Sequence, residues 1–152
     1  MTQDKSGAPR ASLSVVDGAL MMVGIIWFVQ IVHYPLFAKV GESEFASYEH
    51  EHTRRTGWVV APLMLTELAT ALLLLGIRPL GIPLTAAIIN LMLVASLWVS
   101  TWLVQIPCHH HLTCRFDPAV HRRLVGTNWF RTAVWSLRGL LVLGIGANLL
   151  GK

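Results

Sequence analysis

Charge is scarce in this chain: only 13% of its 152 residues are Asp, Glu, Lys or Arg, while 54% are apolar. Soluble domains carry about 25% charged residues, so this composition excludes an ordinary water-soluble domain. Cysteine is nearly absent, and Cys108 and Cys114 are too few to make a disulfide framework. Several motifs are also missing. There is no nucleophile elbow, phosphate-binding loop, Rossmann glycine pattern, HExxH or EF-hand loop, which disfavours hydrolytic and nucleotide-dependent functions. The doubled, discontinuous helices of a secondary transporter are lacking too. Basic residues exceed acidic ones, 12 to 8, but they are scattered among short loops without the basic stripe that a nucleic-acid partner requires. No internal repeat, low-complexity tract or domain boundary stands out.

What the sequence has is length in its apolar runs. Residues 13–32, 58–77, 83–106 and 129–150 each reach the roughly 20 residues that cross about 30 Å of hydrocarbon. Backbone exposed to lipid has no water to bond, so each run is expected to be an α-helix. The expected fold is all-α: a single integral-membrane four-helix bundle over 1–152, in contact with the lipid bilayer and compatible with a homo-oligomer. Lys5, Arg10, Arg78 and Lys152 fall on the side of both termini. Lys39, Arg54, Arg55, Arg115, Arg122, Arg123 and Arg131 fall on the side of the two longer loops. This excess places the longer loops in the cytoplasm of a multi-pass protein of the cell membrane. The first run lacks a small-residue cleavage site and is expected to be retained.

Proline and glycine suggest where helices end. Pro35 is expected to stop helix 1, and Pro107 to tilt the last turn of helix 3. Asp117-Pro118 reads as cap and first turn of a short amphipathic helix between helices 3 and 4, Ala119 to Val125, closed by Gly126. Thr127 or Asn128 then caps helix 4. His121, Arg122 and Arg123 are expected at the membrane surface.

Polar residues within the apolar runs are not scattered. Wound at about 100° per residue, Trp98, Trp102, Gln105 and His109 fall within about 60° of one another, and Asn128, Arg131, Trp135 and Arg138 within about 80°. Glu67 and Arg138 lie at nearly equal depth, about 15 and 16 Å down their helices, and are plausible partners. An unpaired charge there costs several kcal/mol. Trp27, Gln30, His33 and Tyr34 end helix 1, and Tyr48, His50, His52, Arg54 and Arg55 lead into helix 2. All these groups are delivered to one face of the membrane, which argues for one pocket, backed by tryptophans, holding a lipophilic small molecule.

Two chemistries suit such a pocket. His33, His52 and His109 come from three different elements, and neutral imidazoles are common ligands of transition metals and haem. Cys108 to Cys114 encloses three histidines, but its spacing matches no closed zinc pattern. Without a metal, a histidine can move a proton near neutral pH while Arg131, Asn128 or Tyr48 holds a developing phenolate or enolate. Tryptophans would stack an aromatic ring, although Trp58 and Trp129 fit an interfacial belt. The cofactor stays open between none, a transition metal and haem.

The residues that carry the second chemistry bear a family likeness. Gln105-x-Pro107-x-His109, followed by Thr127-Asn128-Trp129-Phe130-Arg131-Thr132, Trp135 and Arg138, resembles the anthrone oxygenase-like family of small four-helix membrane proteins. The likeness runs from about Trp27 to Leu143 and includes Val32-His33-Tyr34-Pro35 and His52-x-x-Arg55. It implies an oxygenase that converts an anthrone to an anthraquinone with dioxygen and no evident cofactor. It also implies His109, Asn128 and Arg131 as the working residues. Three successive histidines depart from the simple pattern and keep the metal alternative open.

The expectation is thus a membrane oxidoreductase or oxygenase for a lipophilic aromatic or quinone-like substrate. His33, His52, His109, Asn128 and Arg131 are its candidate catalytic groups, with His33, His52 and His109 also the candidate metal ligands. Trp27, Gln30, Tyr34, Tyr48, Arg55, Glu67, Trp98, Trp102, Gln105, Trp135 and Arg138 are candidates for binding. The alternatives are a metal- or haem-binding bundle that transfers electrons or senses metal, and a non-catalytic membrane subunit.

Overall fold

A computed structural model describes residues 7–78 and 82–150, and all of its regular structure there is helical. Among the described residues, four helices are long and apolar enough to cross a membrane. Helix α1 runs through Gly7–Phe28, a wider π turn at Val29–His33 and a last turn at Tyr34–Phe37. Helix α2 is Glu42–Ile77. Helix α3 runs through Leu84–Ser100, a second π turn at Thr101–Gln105 and Ile106–Leu112, and α4 is Pro118–Leu150. Between α2 and α3, residues 79–81 lie outside the described residues; Arg78 leads into them with φ 33°.

Three expectations about helix ends need correction. Pro35 does not stop α1, because the π turn precedes it: the Tyr34 amide bonds back to the Val29 carbonyl in the i→i+5 manner. The wider turn moves carbonyls from under the proline ring and absorbs the missing donor. Pro107 is accommodated in the same way, with the Ile106 amide on the Thr101 carbonyl. The short helix closed by Gly126 does not exist as a separate element, since α4 is continuous from Pro118. Thr127 is no cap; its hydroxyl donates to the Arg123 carbonyl at 2.7 Å. Asp117 is a true cap, accepting from the Ala119 amide at 2.8 Å and the Val120 amide at 3.2 Å. Those amides, Val120 first, hold its carboxyl below the usual carboxylate range.

A near-repeat emerges once the π turns are seen. Each half of the chain runs helix, π turn, X-Pro, short connection, long helix. Pro35 answers to Pro107, His33 to Gln105, Thr56-Gly57-Trp58 to Thr127-Asn128-Trp129, and Glu67 to Arg138. Phe45 and Phe116, in corresponding places, meet at 4.7 Å between ring centroids. The two hairpins pass the membrane direction in the same order, so the bundle approximates a pair of like hairpins. Divergence of side chains at matching positions hides this in the sequence.

Packing follows from the apolar pattern. Met22, Ile26, Met64, Leu97, Val134 and Trp135 make a central cluster, and Tyr34, Phe37, Phe45, Cys108, Leu112 and Leu124 a second one toward the longer connections. Outward faces remain apolar, with side chains such as Ile31, Leu65, Met92 and Leu140 more than half exposed, as contact with lipid tails requires. Helices α1 and α4 share the most extensive interface. Gly139 permits their approach: a Cβ there would lie 2.9 Å from Val23 Cγ2, and small residues let membrane helices close up. Gly139→Ala is expected to cost about 1–3 kcal/mol by overpacking, with most of it recovered when Val23→Ala is added. Thermal melts of both variants check this; an unchanged G139A melt would mean the interface has slack.

Candidate functional site

Among the described residues, ten polar side chains are buried in this apolar bundle: Gln30, Glu49, Glu67, Asn90, Gln105, His121, Asn128, Arg131, Thr132 and Arg138. A buried polar group without a partner costs roughly 1–3 kcal/mol, so where each finds its partner defines the interior. They sort into three tiers, descending from the longer connections.

The first tier centres on His109, on α3 just past Pro107. Its Nδ1 is bonded to the fully buried Glu49 carboxylate of α2. Its Nε2 is 3.0 Å from the Tyr34 hydroxyl of α1. A carboxylate only accepts, so Nδ1 carries the proton and Nε2 offers its lone pair, to which Tyr34 donates. Beside this chain the His33 and His52 rings share a hydrogen bond of 2.9 Å, and Thr56 Oγ1 lies 3.1 Å from His52 Nδ1. The His52 and His109 ring centroids are 5.5 Å apart.

In the second tier Gln30 Oε1 accepts from Asn128 Nδ2 at 2.8 Å, and Asn128 Oδ1 accepts from Arg131 Nη1 at 3.2 Å. Gln105 Nε2 donates to Thr127 Oγ1 at 3.1 Å. The Arg131 guanidinium lies 4.8 Å over the Trp135 ring, a cation–π contact strengthened by the absence of water. In the third tier Glu67 and Arg138 form a buried ion pair. Trp135 Nε1 donates to Glu67 at 2.9 Å, and Arg138 Nε donates to Asn90 at 3.1 Å. Trp135 therefore joins the two lower tiers.

Between the helices lies a cavity of about 540 Å³, lined from all four of them, within the range of small-molecule sites. Its walls are apolar around Met22, Ile26, Val60 and Met64 and aromatic at Trp98, Trp102 and Trp135; Tyr34, His52, Gln105, His109 and Arg131 reach it from the polar tiers. Three buried polar atoms of its lining have no partner: Trp98 Nε1, Arg131 Nε and Gln105 Oε1. Two are donors and one an acceptor. A polar ligand group facing them would remove that penalty.

Of the residues singled out in the sequence, Tyr34, His52, Trp98, Trp102, Gln105, His109, Arg131 and Trp135 line this cavity. Gln30 and Asn128 stand behind it and hold Arg131. Glu67 and Arg138 are partners as read, but they support Trp135 and do not line the cavity. Trp27 lies outside, 43% exposed, donating to Ser136 Oγ and meeting Trp129 edge to face. Tyr48 packs on Phe37, and Arg55 pairs with Glu51. Both border a separate outer cavity with His33.

As for the metal reading, no group of three or more His, Cys, Asp or Glu among the described residues is arranged to hold an ion. His33, His52 and His109 do not converge; their nitrogens bond to one another, to Glu49 and to Tyr34. Cys108 is buried and Cys114 exposed.

Glu49 and Asn90 are buried site residues that the sequence did not single out. His121 was expected at the surface, whereas the ring is buried with Nε2 donating to the Tyr34 carbonyl at 2.8 Å. Phe45, Glu49, His52 and Thr56 recur at i, i+4, i+7 and i+11, and that spacing was the available signal.

Fold and site together define a four-helix bundle suited to a membrane, with an internal cavity lined by polar and aromatic side chains. Comparison with known protein families, curated proteins and solved structures finds no match to this chain.

Proposed function

We propose that the protein is a small membrane oxidoreductase that oxidises a lipophilic aromatic or quinone-like compound, an anthrone by preference, with dioxygen. One observation carries the reading: a carboxylate-held imidazole, Glu49–His109, sits at the rim of a tryptophan-walled cavity whose free donors belong to Arg131 and Trp98.

In this reading the ring system lies among Trp98, Trp102 and Trp135, and its carbonyl oxygen faces Arg131 Nε and Trp98 Nε1. The substrate displaces the Tyr34 hydroxyl from His109 Nε2. The acidic ring C–H bond breaks, its proton passes to Nε2, and the electron pair spreads onto the oxygen as an enolate. Glu49 offers the counter-charge when His109 takes the proton. The enolate carbon adds to dioxygen, which is reduced to a peroxide anion, and a proton returned from His109 makes it a hydroperoxide. Loss of water then leaves a carbonyl on the oxidised carbon, so one oxygen atom enters the product and the other leaves as water. Asn128 acts through Arg131, which it orients. The reading also sets the protein in the cell membrane with the longer connections in the cytoplasm, as the Lys and Arg distribution favours.

The direct test is oxygen uptake by protein in lipid nanodiscs given anthrone. Uptake in step with anthraquinone formation, well above the protein-free rate, is the expected result. A rate no higher than the protein-free one would reject the proposal.

A further inference from the structure

The tier described above leaves the His33–His52 pair without a task. His52 borders the inner cavity, and with Thr56 it also borders an outer cavity of about 370 Å³ lined by His33, Tyr48, Glu51 and Arg55. Arg55 is largely solvent-exposed and Glu51 nearly half so, so the outer cavity belongs to the aqueous end of the bundle. Between the two cavities stand two rings joined by a 2.9 Å hydrogen bond between His33 Nε2 and His52 Nδ1. The other nitrogen of each ring has no hydrogen bond to a described residue. On the inner side, the His52 and His109 ring centroids are 5.5 Å apart, close enough for a proton to pass between the rings directly or through one water molecule.

We infer that His33 and His52 form a proton relay connecting the His109 base in the inner cavity to water in the outer one. The inference rests on the reading of His109 as the base. An imidazole accepts a proton on one nitrogen and releases one from the other, so two rings in series carry a proton without moving. A proton arriving at His52 Nε2 frees the one on Nδ1, which crosses to His33 Nε2. The proton on His33 Nδ1 then leaves to water. Only N–H bonds are exchanged, and nothing is oxidised or reduced. Thr56, within reach of His52 Nδ1, holds the ring in line. Around the relay stand Tyr34 of α1, Glu49, Glu51 and Arg55 of α2, and His109 of α3; of these, the Glu49 carboxylate already belongs to His109.

The relay has a readout separate from oxidation. In anaerobic D₂O, a base that takes a ring C–H proton from anthrone and loses it to solvent returns deuterium, whereas a base cut off from solvent returns the same proton. Wild-type protein in nanodiscs is expected to deuterate anthrone faster than the protein-free rate. His33→Gln keeps an acceptor, its amide oxygen, toward His52 but has no second ring nitrogen to pass the proton on. It is expected to slow exchange roughly ten-fold or more, to leave anthrone quenching of tryptophan fluorescence unchanged, and to regain exchange when free imidazole is added. His52→Gln, measured in parallel at saturating anthrone, is expected to slow exchange to the same degree and serves if H33Q melts early. Wild-type exchange in H33Q, or a loss that imidazole does not restore, overturns the relay while leaving the His109 reading intact. His109→Gln that still catalyses exchange overturns that reading, and the relay with it.

Discussion

Arg138→Leu is expected to destabilise the bundle by about 3–5 kcal/mol, the usual effect of removing one partner from a buried ion pair. The Arg138 and Glu67 side chains are 1% and 5% exposed, so the orphaned carboxylate would have no water to turn to. The damage would spread, because Glu67 also receives the Trp135 indole and Arg138 holds Asn90. Trp135 is a wall of the cavity, so the same variant should bind anthrone less well. The double variant Glu67→Leu with Arg138→Leu is expected to recover most of the loss, since replacing both charges by apolar groups is often neutral. A third variant uses the near-repeat. Because Glu67 and Arg138 occupy corresponding places in like hairpins, the exchange Glu67→Arg with Arg138→Glu should be better tolerated than either half of it. Thermal melting in detergent, followed by size-exclusion chromatography, measures all of these. An Arg138→Leu protein as stable as its parent would show that the pair contributes little.

The sequence made much of this legible, for physical reasons. Run length against bilayer thickness was enough to find four helices, and azimuth alone put Gln105 and His109 beside Trp98 and Arg131 near Trp135. Depth along the helix paired Glu67 with Arg138, since a lone charge in hydrocarbon leaves few alternatives. Local punctuation misled where tertiary structure overrode it. Pro35 and Gly126 are ordinary stop signals, but a π turn accommodates the first and the continuous α4 carries the second. Thr127 and Asn128 look like caps because their side chains can bond their own backbone; instead they reach across to Gln105 and Gln30. Glu49 was hidden by its neighbours: Glu42, Glu44 and Glu51 make the start of α2 look solvated, while Phe45, about one turn earlier on the same face, points inward. A single buried acid among exposed ones is distinguished only by what packs on it.

His109→Gln is expected to lower kcat for anthrone oxidation by about 10²–10⁴, the range for loss of a positioned general base. With the tryptophans and Arg131 proposed to hold the substrate, KM should change little, and a fall in kcat and kcat/KM by the same factor is the signature of an interaction made in the transition state. Glu49→Gln gives the sharper test. The amide oxygen can still accept from His109 Nδ1, so the ring keeps its tautomer while the counter-charge is lost, and a kcat loss of about 10² is expected. Glu49 Oε2 has no partner, so an amide nitrogen placed there leaves a buried donor unsatisfied at about 1–3 kcal/mol; melting curves measured alongside separate that effect from catalysis. The two losses should not add, because Glu49 acts through His109, and the double variant should be no slower than H109Q. If H109Q and E49Q both keep wild-type kcat in folded protein, the proton is taken elsewhere. Multiplying losses would mean that Glu49 serves the reaction by a route that does not pass through the imidazole.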